Sequence, residues 1–260
     1  MIFRFKPKFP LVEINPLMNT NACRSGDLCQ SHLKTINNAL QKYITNGKPF
    51  RTQVVSALLS IPISLEEYVQ RMRKIHKGNA VREVIKAEKK GYTFDVFHVQ
   101  NHVVDLVEIN HSKEFRQGRK MTKSYQNDVE HYGGLPDKIK TVKPPDCPLH
   151  FYQWMGVFKS DKRHAQGSLL VGRKLVGYIN LIRHGNLILY GSILGHGDFL
   201  NDGIMYFLNQ KTLEWVMAKD TPEKQGINYI MYAGWFDGTE GLKKWKKRTL
   251  FSPFYLRILA

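Results

Sequence analysis

Several features of membrane, secreted or disulfide-stabilised proteins are missing from this sequence of 260 residues. No apolar run approaches the roughly 20 residues that a membrane-spanning helix needs. The N-terminal stretch MIFRFKPKFPLVEI has neither an apolar core nor a small-residue cleavage site, so we expect no signal peptide. Only three cysteines are present, Cys23, Cys29 and Cys147, which is too few for a disulfide framework. These absences predict a cytoplasmic protein.

The motifs of several enzyme classes are missing as well. The chain contains no Walker loop, no Cys-x-x-Cys pair, no His-Glu-x-x-His and no Gly-x-Ser-x-Gly elbow. Three histidines, His98, His102 and His111, are several residues apart and belong to different predicted elements. Because a metal ion needs ligands that converge, we predict no metal site.

Acidic residues are scarce beside basic ones. The chain has 39 Lys and Arg against 22 Asp and Glu, a formal net charge of +17, and an isoelectric point near 9.7. With 42% hydrophobic and 12% aromatic residues it can nevertheless bury a core, which excludes a disordered chain. A surface this basic attracts polyanions such as nucleic acid, anionic lipid headgroups or phosphate-bearing cofactors. The alternative is that the charge only maintains solubility.

The basic residues are clustered. One cluster follows Ser64 and Glu67, a predicted capping box, and ends at Gly91, a predicted helix-terminating glycine. A second lies on a short amphipathic helix near the C-terminus. Such faces are either simply solvated or bind phosphates. The residues predicted to bind nucleic acid are Arg71, Arg73, Lys74, Arg82 and Lys86 in the first cluster and Lys243, Lys244 and Lys247 in the second.

The stretch from Leu187 to Met217 predicts a buried strand, a Gly-rich turn and a helix. Asp202 is the expected N-cap of that helix, which begins at Ile204. A strand, turn and helix in this order offer backbone N–H groups and the positive end of a helix dipole to an anion. We expect the cofactor contacts to be Gly195, Gly197 and Gly203 in the turn, with Arg116 and Arg119 from a compact polar loop upstream.

The remaining pattern predicts a helix within Ser31–Tyr43, a helix or strand within Phe50–Ser60, and mainly strands after His150. Gly185 and Asn186 mark a hairpin turn between two of these strands. We interpret residues 1–63 as an N-terminal extension packed on a main domain of residues 64–260.

That order of elements resembles the GNAT acyltransferase superfamily, and more closely its Fem-type (FemAB-like) branch. The stretches that carry the likeness are LEEYVQRMRKIHKGNAVREVIKAEKKGY, DLVEINHSKEFRQGRKMTKSY with its Arg-x-Gly element, and GINYIMYAGWFDGTEGLKKWKKRTLFSPFYL. The resemblance covers roughly residues 64–260. It implies an α/β (α+β) domain with a central, splayed, mostly antiparallel mixed sheet flanked by helices. It also implies transfer of an acyl or aminoacyl group to an amine or hydroxyl.

The sequence departs from that pattern in the Gly-rich turn between the predicted strand and helix. There GHGDFLNDG replaces the GNAT pyrophosphate signature (Q/R)-x-x-G-x-(G/A). The donor therefore stays open between acyl-CoA and the aminoacyl-tRNA that Fem-type enzymes often use, and a basic surface suits tRNA. Fem-type peptidoglycan enzymes usually carry two such domains, whereas this chain has room for one plus an extension.

Acyl transfer needs a deprotonated acceptor, a stabilised oxyanion and a protonated leaving group. His196 is the candidate general base by residue type, or else a loop histidine. Asp198 and Asp202 could orient the acceptor, with capping the stronger expectation for Asp202. Asp237 lies on the other edge of the expected cleft, with turn formation as its alternative role. Tyr206 is a candidate acid for the leaving group, or a core residue.

Two other functions remain open from the sequence. One is a GNAT-like transferase that modifies nucleic acid, such as those that phages use to decorate DNA bases, which the charge of +17 favours. The other is a non-catalytic nucleic-acid binder on the same fold. Both share with the acyltransferase the expectation of a polyanionic partner.

Overall fold

Residues 9–18, 23, 27–43, 55–116 and 119–259 are described by the structure, which is a computed structural model. The strands are β1 (Leu11–Ile14), β2 (Ser56–Ser60), β3 (Thr93–Val96), β4 (Phe115–Arg116), β5 (Arg119–Lys120), β6 (His150–Ser160), β7 (Ala165–Gln166), β8 (Leu169–Leu170), β9 (Arg173–His184), β10 (Leu187–Gly195), β11 (Tyr229–Gly234) and β12 (Ser252–Ile258). The α-helices are α1 (Asp27–Leu40), α2 (Leu65–Lys74), α3 (Asn79–Lys89), α4 (Val103–His111), α5 (Ile204–Met217) and α6 (Glu240–Arg248).

Eight strands form one mixed sheet in the order β1-β12-β2-β11-β10-β9-β6-β3. Neighbours run antiparallel except for β1 with β12 and β10 with β11, which are parallel. The four short strands make two hairpins, β4 with β5 and β7 with β8. The predicted mixed sheet, mostly antiparallel, is therefore confirmed.

The two parallel neighbours β10 and β11 separate toward their C-terminal ends. They pair only over Leu187–Leu189 and Tyr229–Met231, although β10 continues to Gly195 and β11 to Gly234. Beyond the paired segment each strand also changes register against its other neighbour, β10 against β9 and β11 against β2. Such bulges bend and twist a strand, which accounts for the divergence. The splay implied by the resemblance is present at this position.

Alternate residues of a strand point to opposite faces of the sheet. Apolar residues occupy both faces here, and helices cover both of them. Ile179 of β9 packs in the largest apolar cluster, together with α2, α3 and α5, whereas the adjacent Tyr178 packs with α4. Leu187 at the start of β10 belongs to a third cluster with Leu40 of α1. Among the described residues, none of the helices is of a length and apolarity that would let it cross a membrane.

The predicted ends of α2 and α3 are confirmed. The Ser64 hydroxyl accepts a hydrogen bond from the Glu67 N–H at 3.0 Å, and the Glu67 carboxylate accepts one from the Ile63 N–H at 3.0 Å. After α3, Gly91 has a φ of +75°, and the N–H groups of Gly91 and Tyr92 bond back to the last turn of the helix. This is the Schellman arrangement, which satisfies the final helical carbonyls.

The expected cap of α5 is wrong. Gly203, not Asp202, is the N-cap, and it has a φ of +81° and no side chain to cap the helix. A Cβ at this position would lie 2.1 Å from the Glu83 carbonyl oxygen, so only glycine lets α3 approach so closely. The Asp202 carboxylate instead accepts hydrogen bonds from Lys90 at 2.5 Å and from the Tyr92 hydroxyl at 2.7 Å.

Strand β2 lies just before the predicted division at residue 63, and the division itself stays a prediction. β2 lies in the middle of the sheet between β12 and β11, and the strand is buried over its first four residues, from Ser56 to Leu59. A strand with neighbours on both sides satisfies its backbone polar groups within the sheet. Although it precedes residue 64, the described strand β2 is therefore part of the same core. Of the predicted helix or strand within Phe50–Ser60, residues 50–54 lie outside the described residues and Ser56–Ser60 is strand.

Candidate active site

The divergence of β10 and β11 opens a cleft of about 270 Å³. Its apolar walls come from β10, from α6, and from the turn and first residues of α5: Ile193, Leu194, Leu200, Met205, Leu242 and Trp245. Tyr232 of β11, and Lys113 and Arg116 near the β4–β5 hairpin, add polar groups. The cleft lies outside the carboxyl ends of two parallel strands, which is where α/β sheets commonly bind ligands.

Beside this cleft, one edge of β10 lies beyond its pairing with β11. Beyond Leu189 the described chain places no residue of β11 in register with β10, although β10 runs on for six residues to Gly195. Buried peptide groups need hydrogen-bond partners, and those on this edge of β10 can take them from a ligand. An N–H group so directed would stabilise negative charge on a carbonyl oxygen, particularly between apolar walls.

Arg116 lines the cleft, but its guanidinium is hydrogen-bonded within the protein. Its guanidinium donates to the carbonyl oxygens of Gly195 at 2.9 Å and Ile109 at 2.8 Å, and to the Ser112 hydroxyl at 2.9 Å. Burial lowers the pKa of this guanidinium. The bonds join the β4–β5 hairpin to the end of β10 and to α4, so the charge is directed at protein carbonyls. The side chain of Arg119 lies outside the described residues.

The backbone amides of the Gly-rich turn are largely engaged. The N–H of Gly197 donates to the Ser112 hydroxyl at 2.9 Å, and that of Asp198 to Nδ1 of His196 at 3.3 Å. Gly203 donates to the Leu200 carbonyl at 3.4 Å. These bonds arise because residues 197–202 form a 3₁₀ helix rather than an open loop. Of the three predicted glycine contacts, Gly195 alone is among the cleft-lining residues.

His196 lies beside the cleft, not in its lining. Its Nδ1 accepts a bond from the Asp198 N–H, so the neutral ring that makes this bond carries its proton on Nε2. Burial lowers the pKa of His196, which favours that neutral form at pH 7. The ring packs on Phe199 with centroids 5.2 Å apart. The Asp198 carboxylate is 84% exposed and 3.9 Å from the ring.

The other sequence-predicted acids and bases are separated from one another. Asp237 closes the turn between β11 and α6, where its carboxylate accepts the Gly234 N–H at 3.0 Å. Tyr206 accepts a bond from Arg248 at 3.5 Å and packs on Trp245, one of the cleft residues, at 6.3 Å between ring centroids. Asp202 faces α3. The structure thus brings Tyr206 and Asp237 toward α6 and leaves His196 and Asp198 at the end of β10.

Lys246 is a residue that the sequence reasoning missed. The basic stretch LKKWKKRTL suggested solvent-exposed lysines, yet Lys246 is fully buried and its ammonium donates to the carbonyl oxygens of Gly234 at 2.5 Å and Asp237 at 3.0 Å. Burial lowers its pKa to about 8. The available signal was helical spacing, because residues 242, 245 and 246 lie on one side of α6 and residue 249 follows the helix at the same spacing.

We expect Lys246→Met to remove a pH dependence of stability. Lysine has a pKa of 10.5 in the unfolded chain and about 8 here, so between these values the unfolded chain binds more protons and folding becomes more favourable as the pH rises. The wild type should therefore gain roughly 2 kcal/mol more than the variant between pH 7.5 and pH 10. Urea unfolding at both pH values measures this, with the exposed Lys247→Met as control. Parallel curves for wild type and Lys246→Met would contradict it.

A basic groove runs along the exposed side of α3. We use this name for Arg82, Ile85, Lys86, Lys89 and Lys90. The Lys86 ammonium bonds to the Asn201 carbonyl and that of Lys90 to the Asp202 carboxylate, so the groove adjoins the turn that carries cleft residue Leu200.

The other predicted nucleic-acid contacts lie on α2 and α6. Arg71, Arg73 and Lys74 are exposed on α2, and Arg71 pairs with Glu67 at 3.6 Å. On α6, Lys244 and Lys247 are exposed, whereas Lys243 pairs with Glu240 at 2.8 Å. Helix α6 also carries Leu242 and Trp245, so the second basic cluster borders the cleft.

The cleft occupies the splay between two parallel strands of an eight-stranded mixed sheet in the described part of the chain. No protein-family model and no curated protein sequence matches the chain. Among solved structures it is similar to FemX, at 11% identity and a TM-score of 0.49 over 76% of this chain and 59% of that one.

Two further structures show a similar but weaker likeness. One is the C-terminal domain of a putative lysylphosphatidylglycerol synthetase from Agrobacterium fabrum, with 12% identity, a TM-score of 0.42, and coverage of 76% of this chain and 57% of that one. The other is a tandem GNAT protein from the clavulanic acid biosynthesis pathway, with 16% identity, a TM-score of 0.37, and coverage of 63% and 43%. The chain spans less than two thirds of the length of each of these structures.

Proposed function

We propose that this protein is an acyl- or aminoacyl-transferase whose donor places its acyl group in the cleft between β10 and β11. The observation that carries the proposal is the cleft itself: apolar walls beside a strand edge that has lost its neighbour. Apolar walls suit an acyl chain, and the free edge of β10 suits the carbonyl group at its end.

The proposed reaction is direct transfer. The acceptor amine or hydroxyl attacks the donor carbonyl, and a new C–N or C–O bond forms as the carbonyl oxygen becomes an oxyanion. Collapse of this intermediate breaks the bond to the thiol of CoA or to the terminal ribose of tRNA, which leaves with a proton. N–H groups on β10 beyond Leu189 stabilise the oxyanion, and the apolar walls exclude water that would hydrolyse the donor.

His196 and Tyr206 remain the candidate base and acid. Each now bonds within the protein, His196 to the Asp198 N–H and Tyr206 to Arg248. Catalytic bonds often form only when substrate is bound, so these roles require that substrate displaces the present partners. For His196 the basic nitrogen is Nδ1, and it must be freed before it can accept the proton of the acceptor.

The basic groove supports a polyanionic substrate. Arg82, Lys86 and Lys89 are exposed on one helix face, and the groove adjoins the turn at the end of β10. A tRNA that carries the aminoacyl group could bind there while its end enters the cleft. DNA or RNA as the acceptor is the second candidate, and the same observation favours it.

Transfer assays with the full chain test the proposal. Labelled acyl-CoA and aminoacyl-tRNA are each supplied with amine, hydroxyl and nucleic-acid acceptors, and native mass spectrometry of the purified protein, with and without nuclease, identifies any retained donor. Transfer from either donor supports the proposal. Binding of nucleic acid without transfer from any donor would instead favour the non-catalytic binder.

Charge reversal in the basic groove should weaken tRNA and DNA binding. We expect Lys86→Glu with Lys89→Glu to lower affinity at least about tenfold, and to reduce the slope of log affinity against log salt by roughly two, because two phosphate contacts are lost. Fluorescence anisotropy over a salt series measures both. The matched control is Lys162→Glu with Arg163→Glu, which reverses two exposed charges outside the groove. An equal loss of nucleic-acid affinity in both double variants would show that binding depends on the net charge of the protein and not on the basic groove.

A further inference from the structure

Three cysteines and one histidine converge in a place that is separate from the cleft. Cys23 precedes α1, and Cys29 lies in the first turn of α1. Cys147 lies three residues before β6, and His150 is the first residue of that strand. One donor atom from each lies within 4.8 Å of all the others. Cys29, Cys147 and His150 are buried and Cys23 is half-buried, and none of the three thiols is in a disulfide.

We propose that these four residues bind one structural Zn²⁺ ion in tetrahedral Cys₃His geometry. Nδ1 of His150 lies 3.5 Å from Sγ of Cys23 and 3.5 Å from Sγ of Cys147. A tetrahedral zinc ion with Zn–S of about 2.3 Å and Zn–N of about 2.0–2.1 Å requires S···N separations of about 3.5 Å. These two S···N separations thus already match the spacing that such an ion imposes, and all four donor atoms lie within 4.8 Å of one another.

The histidine is oriented as a zinc ligand requires. Its other nitrogen, Nε2, lies 3.0 Å from the Pro16 carbonyl oxygen, to which it donates when protonated. That bond fixes the tautomer in which Nδ1 carries a lone pair directed at the sulfurs. A backbone carbonyl in this role is a common support for metal-binding histidines.

The surroundings also match the charge of the proposed complex. Three thiolates, one neutral imidazole and Zn²⁺ sum to a charge of about −1. The buried guanidinium of Arg183 lies near enough to Cys147 to attract a thiolate there. A buried cation beside the cluster would offset that charge, which reduces the cost of burying the complex.

The donor set indicates both the metal and the role. Thiolates with one imidazole select Zn²⁺ over Mg²⁺ or Ca²⁺, which prefer oxygen ligands. Four protein ligands leave no open position for water or substrate, which is characteristic of structural sites. His150 is paired with His184 at the hairpin end of β9, whereas the cleft lies at the other end of β10. The ion would therefore fasten the segment around α1 to the start of β6.

Metal analysis of the full chain tests this site. The protein is purified under reducing conditions without chelator from cells grown with added zinc, and its metal content is measured by plasma mass spectrometry. We expect about one Zn²⁺ per chain. Replacement by Co²⁺ should give the visible absorption of a tetrahedral thiolate site. Cys147→Ser and His150→Ala should lose the metal, whereas the control His111→Ala, on the exposed end of α4, should retain it.

The wild-type measurement decides the proposal even if a ligand variant fails to fold. Clearly substoichiometric metal in the purified protein, together with no uptake of Zn²⁺ by the reduced protein in competition with a chromophoric chelator, would overturn it. Stoichiometric metal that His111→Ala loses as readily as His150→Ala would also overturn it, because the ion would then lie elsewhere. One Zn²⁺ per chain that depends on Cys147 and His150 would establish the site.

Discussion

Replacing Leu242 by Trp should reduce the proposed acyl transfer by about a hundredfold or more, with the fold retained. Leu242 is a half-buried residue of α6 and forms part of the wall of a cleft of only about 270 Å³. An indole at this position occupies the space proposed for the acyl group, so the donor carbonyl no longer reaches the free edge of β10. Misplacement of a reacting group by about 1 Å can already cost a hundredfold.

The measurement is kcat/KM for the donor and acceptor identified by the transfer assay, together with the free energy of unfolding of each variant. Leu170→Trp is the matched control, because it makes the same substitution at a leucine that is 61% exposed on β8. Loss of activity in Leu242→Trp alone would support the cleft as the acyl site. Full activity in Leu242→Trp would show that the acyl group binds elsewhere.

The sequence predicted elements whose signals are local. The β9–β10 hairpin follows from Gly185 and Asn186 between two apolar runs, and the helix after the Gly-rich turn follows from apolar residues at helical spacing. The capping box at Ser64 is likewise contained in four consecutive residues. The mixed, mostly antiparallel sheet flanked by helices could be predicted from the order of such elements rather than from any single motif.

Features that depend on distant residues could not be predicted. β2 carries an apolar sequence typical of many strands, and nothing in it indicates a place between β12 and β11. The prediction that Asp202 caps α5 was wrong because α3 packs against Gly203, and the local sequence pattern does not show that contact. The Cys-x-x-His of Cys147 and His150 was present in the sequence, but it gains meaning only when the fold brings Cys23 and Cys29 beside it.

For the candidate site, the sequence predicted the bordering elements better than the contacts of individual side chains. Strand β10, the turn after it, and Leu242 and Trp245 of α6 border the cleft because the topology places them there. The roles of individual side chains depend on hydrogen bonds that form in the folded state. Arg116 reads as a free guanidinium in the sequence, yet in the structure it bonds to Gly195 and Ile109. His196 is similarly held by the Asp198 N–H.

Arg183→Met should lower the free energy of unfolding by about 3 kcal/mol or more, the largest stability effect that we expect. The Arg183 side chain is fully buried, and it donates to the carbonyl oxygens of Gly185 at 2.9 Å, Glu223 at 2.7 Å and Gln225 at 2.6 Å. Burial lowers its pKa to about 10, so it stays protonated at neutral pH. Methionine has similar length but leaves these buried acceptors without their donor, and each such loss costs about 1–3 kcal/mol.

Urea unfolding of Arg183→Met, Arg183→Lys and the exposed control Arg71→Met measures this loss. The comparison separates the contribution of the planar guanidinium to stability from that of its positive charge. Lysine keeps the charge, but one ammonium cannot reproduce the planar fork that reaches three carbonyls, so Arg183→Lys should fall between methionine and wild type. Arg71 is exposed with a single ion pair, and its loss should cost less than about 1 kcal/mol. Wild-type stability in Arg183→Met would mean that the turn before β11 is held by packing alone. A large loss of unfolding free energy would show that this one guanidinium holds the β9–β10 hairpin to the segment that leads into β11. Strand β11 is one of the two strands that form the cleft.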